Sequence, residues 1–122
     1  MSLSSKELGK KGEELAVELL EEKGYEIIER NYRFSRGEID VIAKDPKDGF
    51  LAFVEVKTRQ NLNFGPPEVA ITKSKMRQLR KVAELYLYDK SITELDCRFD
   101  VITVLLKTKQ KPEINHYENA FM

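Results

Sequence analysis

The chain has 122 residues, 34% of them charged and 41% apolar, with 21 Lys plus Arg set against 21 Asp plus Glu. That length predicts one domain over residues 1–122 with a core that needs no covalent or metal staple, and the composition excludes a membrane-embedded or a disordered chain. Zero net charge removes a global field for nucleic acid, so an anionic partner must be drawn by a local patch.

Ser4 and Glu7 stand at capping-box spacing and predict a helix over Ser5–Lys23, with Leu8, Gly12, Leu15, Ala16 and Leu19 on one stripe and Gly24 closing it. No apolar segment opens the chain, so no secretory signal is expected. "YEIIERNYRF" reads as a strand that turns near Ser35-Arg36-Gly37, and "EIDVIAKD" alternates as a second strand. "DPKDG" is a turn. "FLAFVEVK" is apolar on both faces, as a central strand covered on two sides should be. "TRQNLNFGPP" reads as a loop, stiffened by Gly65, Pro66 and Pro67, that leads to a second helix over Glu68–Leu87. The inner face of that helix carries Met76, Leu79, Ala83 and Tyr86. "RFDVITVLL" is another two-sided strand, "KTKQKP" a polar turn and "EINHYENAF" a short final strand or tail. Three strands joined by short turns predict an antiparallel meander, and the second helix then crosses over to make the sheet mixed.

Cys97 is the only cysteine, which rules out an internal disulfide or a cysteine zinc site and fits a reducing, cytoplasmic compartment; by itself it reads as a small buried hydrophobe. His116, the only histidine, has no acidic or cysteine neighbour at ligand spacing and reads as structural, and Asp100 reads as a brace within the sheet.

The chemistry is expected at the end of the most apolar strand. Glu55 and Lys57 share a face, and a hairpin through "DPKDG" brings Asp40 of the preceding strand beside them. Glu-x-Lys pairs on strands are commonly solvated edge residues. Here the pair follows an apolar run, and a second acid comes into register with it. Adjacent carboxylates repel unless one is protonated or a cation lies between them, and a hard divalent ion with oxygen ligands answers that need. A lysine beside such an ion suits metal-assisted hydrolysis of a phosphodiester. Glu13 lies at the border of the first helix's apolar stripe and leans toward Asp40, whereas Glu14 points to solvent; the bland alternative is a surface glutamate. Lys73, Lys75, Arg77, Arg80 and Lys81 on the second helix suit backbone phosphates or are simply a solvated face, while Arg33, Arg36 and Arg59 are placed to ring the acids.

Glu13, Asp40 and Glu55-Val56-Lys57 resemble the PD-(D/E)xK signature of restriction-endonuclease-like nucleases. The blocks "GKKGEELA", "RNYRFSRGEIDVIAKD", "FVEVKTR", "FGPPEVAITKSK", "RFDVITV" and "INHYENAF" together resemble the YraN-like family of small bacterial proteins, which are similar to Holliday-junction resolvases. The resemblance implies a three-layer α/β/α restriction endonuclease-like fold around a central mixed β-sheet. It implies Mg²⁺, or Mn²⁺ in its place, held by Asp40 and Glu55 with help from the Val56 carbonyl. Lys57 would be the catalytic lysine and Glu13 the first-helix acid. Arg36, Arg59, Lys73 and Lys75 are the expected nucleic-acid contacts. The expected activity is a metal-dependent endonuclease acting on DNA, on branched or repair intermediates, as a two-fold homodimer away from any membrane. A non-catalytic nucleic-acid or protein-binding module on the same fold is the competing reading, and RNA in place of DNA a third.

Overall fold

The computed structural model describes residues 3–61 and 71–121. Two helices, α1 (Ser5–Glu22) and α2 (Lys73–Asp89), accompany five strands, β1 (Glu26–Phe34), β2 (Gly37–Lys44), β3 (Leu51–Arg59), β4 (Cys97–Leu105) and β5 (Glu113–Phe121). The strands form one sheet in the order β1-β2-β3-β4-β5, with β3 and β4 parallel and every other neighbour antiparallel. The expected meander is β1–β3, and α2 lies in the connection that makes the sheet mixed. α1 covers one face and α2 the other, giving the three-layer α/β/α architecture. Among the described residues no helix is long and apolar enough to cross a membrane.

The helix ends follow local chemistry. Ser4 Oγ accepts from the Glu7 N–H at 3.2 Å, and Glu7 Oε1 accepts from the Ser4 N–H, closing the capping box. Gly24 takes φ +86° just beyond α1. α2 begins later than the apolar pattern suggests. Glu68 lies outside the described residues, as do Gly65, Pro66 and Pro67, and Ile71 and Thr72 are not helical. Thr72 is the N-cap, its hydroxyl accepting from the Lys75 N–H at 3.1 Å.

The sheet is buried on both sides at its centre, as the apolar runs of β3 and β4 require. Under α1 lie Ala16, Val17, Leu20, Val41, Val54 and Ile102; under α2 lie Leu79, Val82, Tyr86, Ile42, Phe53 and Val101. The buried stripe of α1 runs through Gly12, Ala16 and Leu20 rather than Leu15 and Leu19, which are half-buried. The cause is close approach, since a Cβ at residue 12 would overlap the Thr58 side chain of β3. Cys97 is only half-buried at the rim of the α2-side core, because it opens its strand beside the loop that holds Leu95.

One irregularity positions everything that follows. Ile39 and Ile42 both pack under α2, whereas Val41 and Ala43 pack under α1. Strict alternation would put Ile39 with Val41, so the facing of β2 slips by one residue at Asp40. Across the ladder Asn31, flanked by the pairs Arg30↔Val41 and Tyr32↔Ile39, adopts φ 55°. On the other side the β2–β3 pairing stops at Val41↔Val54. β2 therefore parts from β3 at Asp40.

The two glycines of α1 predict opposite outcomes. Gly12→Ala should lower the urea midpoint, losing about 1–3 kcal/mol to overpacking against β3. Gly9→Ala meets nothing within 4 Å and should gain up to about 1 kcal/mol from helix propensity. A Gly12→Ala protein as stable as the wild type would contradict the described approach of α1 to β3.

Candidate functional site

Where β2 and β3 part, a cleft of about 340 Å³ opens beside the first half of α1, walled by Glu13, Asp40, Glu55, Val56, Lys57 and Arg59. The Val56 N–H donates to Asp40 Oδ2 at 2.8 Å, so a side chain takes the place of the ladder carbonyl that the departing strand no longer offers. Glu55 has the parity of Phe53 and lies on the α2 side. Its Oε1 is 3.7 Å from Lys57 Nζ and its Oε2 4.0 Å from Lys75 Nζ. The Glu55 side chain is only 7% exposed, and its Oε2 is buried without a hydrogen bond.

The electrostatics follow from crowding of like charge. Burial, and then the neighbouring Asp40, push Glu55 up to about 7, against the pull of Lys75 and Lys57. Burial also raises Asp40, assisted by Glu38 and opposed by the Val56 N–H. Glu13 is raised by burial and then by Asp40, with an Asn31 hydrogen bond and Arg30 pulling the other way. A proton held on Glu55 is shared with Asp40. Without that proton, two anions face one another with one oxygen lacking a hydrogen bond, which is a place for a cation. Among the described residues no three acidic, imidazole or thiol side chains form a metal-binding group. The donor set is a pair of hard carboxylates, which is what Mg²⁺ takes when it keeps several of its waters.

Glu13, Asp40, Glu55, Val56, Lys57 and Arg59 thus share one cleft. Lys75 comes to Glu55 from the first turn of α2, whereas Lys73 is exposed and outside the cleft. Arg36 lies in a different groove, against α2, because the β1–β2 turn carries it past the acids. Arg33 is engaged with Glu38 at 3.2 Å. Glu14 points outward to Arg30, as its helical position predicts.

Two features were harder to read from sequence. Asn31 and Glu38 join the electrostatics of the cleft, and only the register of β1 against β2 reveals them. A second polar cluster sits on the α1 side, at the β2–β3 turn end of the sheet. There the Arg98 guanidinium donates to Asp45 at 2.8 Å, to Asp100 at 3.0 Å and to Tyr25 at 2.7 Å. His116 does have an acidic partner, Asp100, with 2.8 Å between Nε2 and Oδ2, brought by strand pairing rather than by sequence spacing. Lys23 Nζ, which can only donate, lies 2.9 Å from Nδ1, so the ring hydrogen belongs on Nε2. Burial pushes Asp100 upward, but hydrogen bonds from His116, Arg98 and the Asn119 N–H outweigh it and hold its carboxyl low. Asp45 and Asp100 are fully buried and satisfied, so this cluster braces the sheet.

A family model described as "Uncharacterised protein family UPF0102" matches residues 12–104. A UPF0102 protein of Geobacter metallireducens is 47% identical over 121 residues, covering 99% of this chain and 97% of that protein. A UPF0102 protein of Caldicellulosiruptor saccharolyticus is 45% identical over 120 residues, covering 98% of this chain and all of its own length. One from Dictyoglomus turgidum is 43% identical over 122 residues, with the same coverage. The YraN-like resemblance read from the sequence blocks is to this same family.

The charge crowding sets a pH dependence. The folded-state pKa of Glu55, about 7, lies above the roughly 4.3 of an unfolded chain. Stability is therefore full below the unfolded value and declines as pH rises toward 7. Glu55→Gln removes this decline. In metal-free buffer the melting temperature of Glu55→Gln minus that of the wild type should rise between pH 5 and pH 8. A difference that stays flat with pH would show that the two carboxylates do not repel.

Proposed function

The chain belongs to the UPF0102 family, and we propose that it is a divalent-metal-dependent nuclease that hydrolyses phosphodiester bonds in DNA, on branched or repair intermediates. The observation that carries this reading is Glu55 Oε2, buried without a hydrogen bond beside Asp40 at the point where two strands part. A buried pair of carboxylates is costly, and the two lysines that pair with Glu55 do so at 3.7 and 4.0 Å, beyond hydrogen-bond distance. Asp40 and Glu55 would hold Mg²⁺ or Mn²⁺, and the Val56 carbonyl is assigned to the same ion from the family resemblance alone. When bound, the ion supplies positive charge against the phosphate oxygens and makes a nearby water more acidic.

The chain's own groups supply the rest. Lys57, with 22% of its side chain exposed, stands at the opening of the cleft, where it would orient the attacking water by donating a hydrogen bond. Glu13, held above the usual carboxylate range, would receive the proton that water loses. Water oxygen bonds to phosphorus, the bond to the leaving sugar oxygen breaks, and that oxygen regains a proton from solvent. Arg59 and Lys75 flank the acids and would hold the neighbouring phosphates. Cutting a branched substrate on two strands would call for a two-fold dimer.

Supercoiled plasmid, single-stranded DNA, a four-way junction and an RNA of matching sequence, each with Mg²⁺ or Mn²⁺, test the activity and its substrate. Asp40→Ala and Lys57→Ala should each lose about 100-fold or more in cleavage rate. Mn²⁺ should raise the melting temperature of the wild type and leave that of Asp40→Ala unmoved. Equal nicking by wild type and Asp40→Ala, together with equal melting shifts, would replace this reading with that of a binding module.

A further inference from the structure

A second groove, of about 450 Å³, lies between the β1–β2 turn and α2. Its apolar floor includes Phe34, Gly37 and Val82, and its rim carries Arg36, Arg77 and Lys81. The floor is pre-formed. A Cβ at residue 37 would overlap Val82, so the turn lies flush on the helix, and Gln78 Nε2 donates to the Arg36 carbonyl at 3.1 Å to latch it there. Phe34 is 46% exposed, large and apolar at the tip of an edge hairpin, where a polar residue would otherwise be expected. The three rim cations are exposed, and among the described residues no acidic side chain lines the groove. Among the described residues none of the three forms an ion pair, although this chain has as many acids as bases.

We infer that this groove takes an unpaired base of a single-stranded nucleic acid, with Phe34 stacking on the base and Arg36, Arg77 and Lys81 holding its flanking phosphates. The chemistry of the groove selects this occupant. An exposed aromatic ring supplies a π-face for any base, and a cationic rim supplies the backbone charge. The rim is too basic for a purely apolar peptide and the floor too apolar for a free metal or a simple anion. Lys75, beside Glu55, and Lys81 lie on the same helix, roughly 9 Å apart at 1.5 Å per residue. The choice of nucleic acid rests on the function proposed for that cleft, and it refines the substrate to one with a strand unpaired beside the cut.

The test is binding without cleavage. Fluorescence anisotropy in EDTA compares a labelled oligothymidylate of about 12 nucleotides with a duplex of the same length. The wild type should prefer the single strand. Phe34→Ala should weaken single-strand binding by at least about fivefold, the low end for losing one stacked base, and leave duplex binding unchanged. Phe34→Trp should restore it. Arg77→Ala with Lys81→Ala should weaken both ligands and flatten the salt dependence by about one unit per lost cation. Single-strand affinity unchanged in Phe34→Ala, or equal affinity of the wild type for both ligands, overturns the assignment. So does a concentration-dependent dimer that Phe34→Ala abolishes, which would give the groove to a second copy of the chain. Because EDTA removes any divalent ion, loss of binding here and loss of cleavage in the Asp40→Ala experiment are independent results.

Discussion

Two carboxylates held together away from water must be compensated or protonated, and that requirement governs the middle of this sheet. Asp40 and Glu55 meet because the facing of β2 slips by one residue and its pairing with β3 stops. Regular alternation on through Asp40 would have put Ile39 with Val41 under α1 and continued the β2–β3 ladder past the acids. The slip keeps Ile39 in the α2-side core, releases the Asp40 carboxyl toward the Val56 N–H, and leaves a notch that α1 covers from one side. The same departure of strands creates the cleft, orients one acid and removes water from the other.

The two helices have different parts in this arrangement. α1 comes so close at Gly12 that no side chain fits between it and β3, which fixes where Glu13 can reach. α2 brings Lys75 over Glu55 through a first turn fixed by Thr72, and one turn further on it forms the wall of the second groove. A neutral chain can thus present a local arc of positive charge, since several of its acids are drawn into the cleft and the Arg98 cluster while Arg77 and Lys81 of α2 stay without an ion pair among the described residues.

Much of this was legible in the residues. The two-sided apolar runs of β3 and β4, the capping box at Ser4 and the turn at "DPKDG" each rest on local chemistry, and together they fix a mixed sheet between two helices. The convergence of Asp40 with Glu55 followed from counting inward from the hairpin. Other features depend on contacts between distant segments. The buried stripe of α1 shifted because helix and sheet touch at a glycine, and hydrophobicity alone does not record that contact. Apolar spacing alone places the start of α2 too early because it extends past a cap, and Thr72 decides the boundary. Arg36 is adjacent to the acids in sequence but a tight turn carries it to the other groove. Asp45 looked like an ordinary turn residue, and His116 like an unpartnered ring, until strand pairing brought both to the Arg98 cluster.

The hydrogen bond from the Val56 amide to Asp40 has a spectroscopic consequence. Most strand amides point at carbonyls whose charge never changes, so their proton resonances are insensitive to titration. This one points at a carboxylate at 2.8 Å, and its resonance frequency and solvent-exchange rate will follow every event that alters the electron density of that oxygen, whether loss of a proton, arrival of a cation or approach of a phosphate. A single backbone nucleus therefore serves as an internal probe of the cleft.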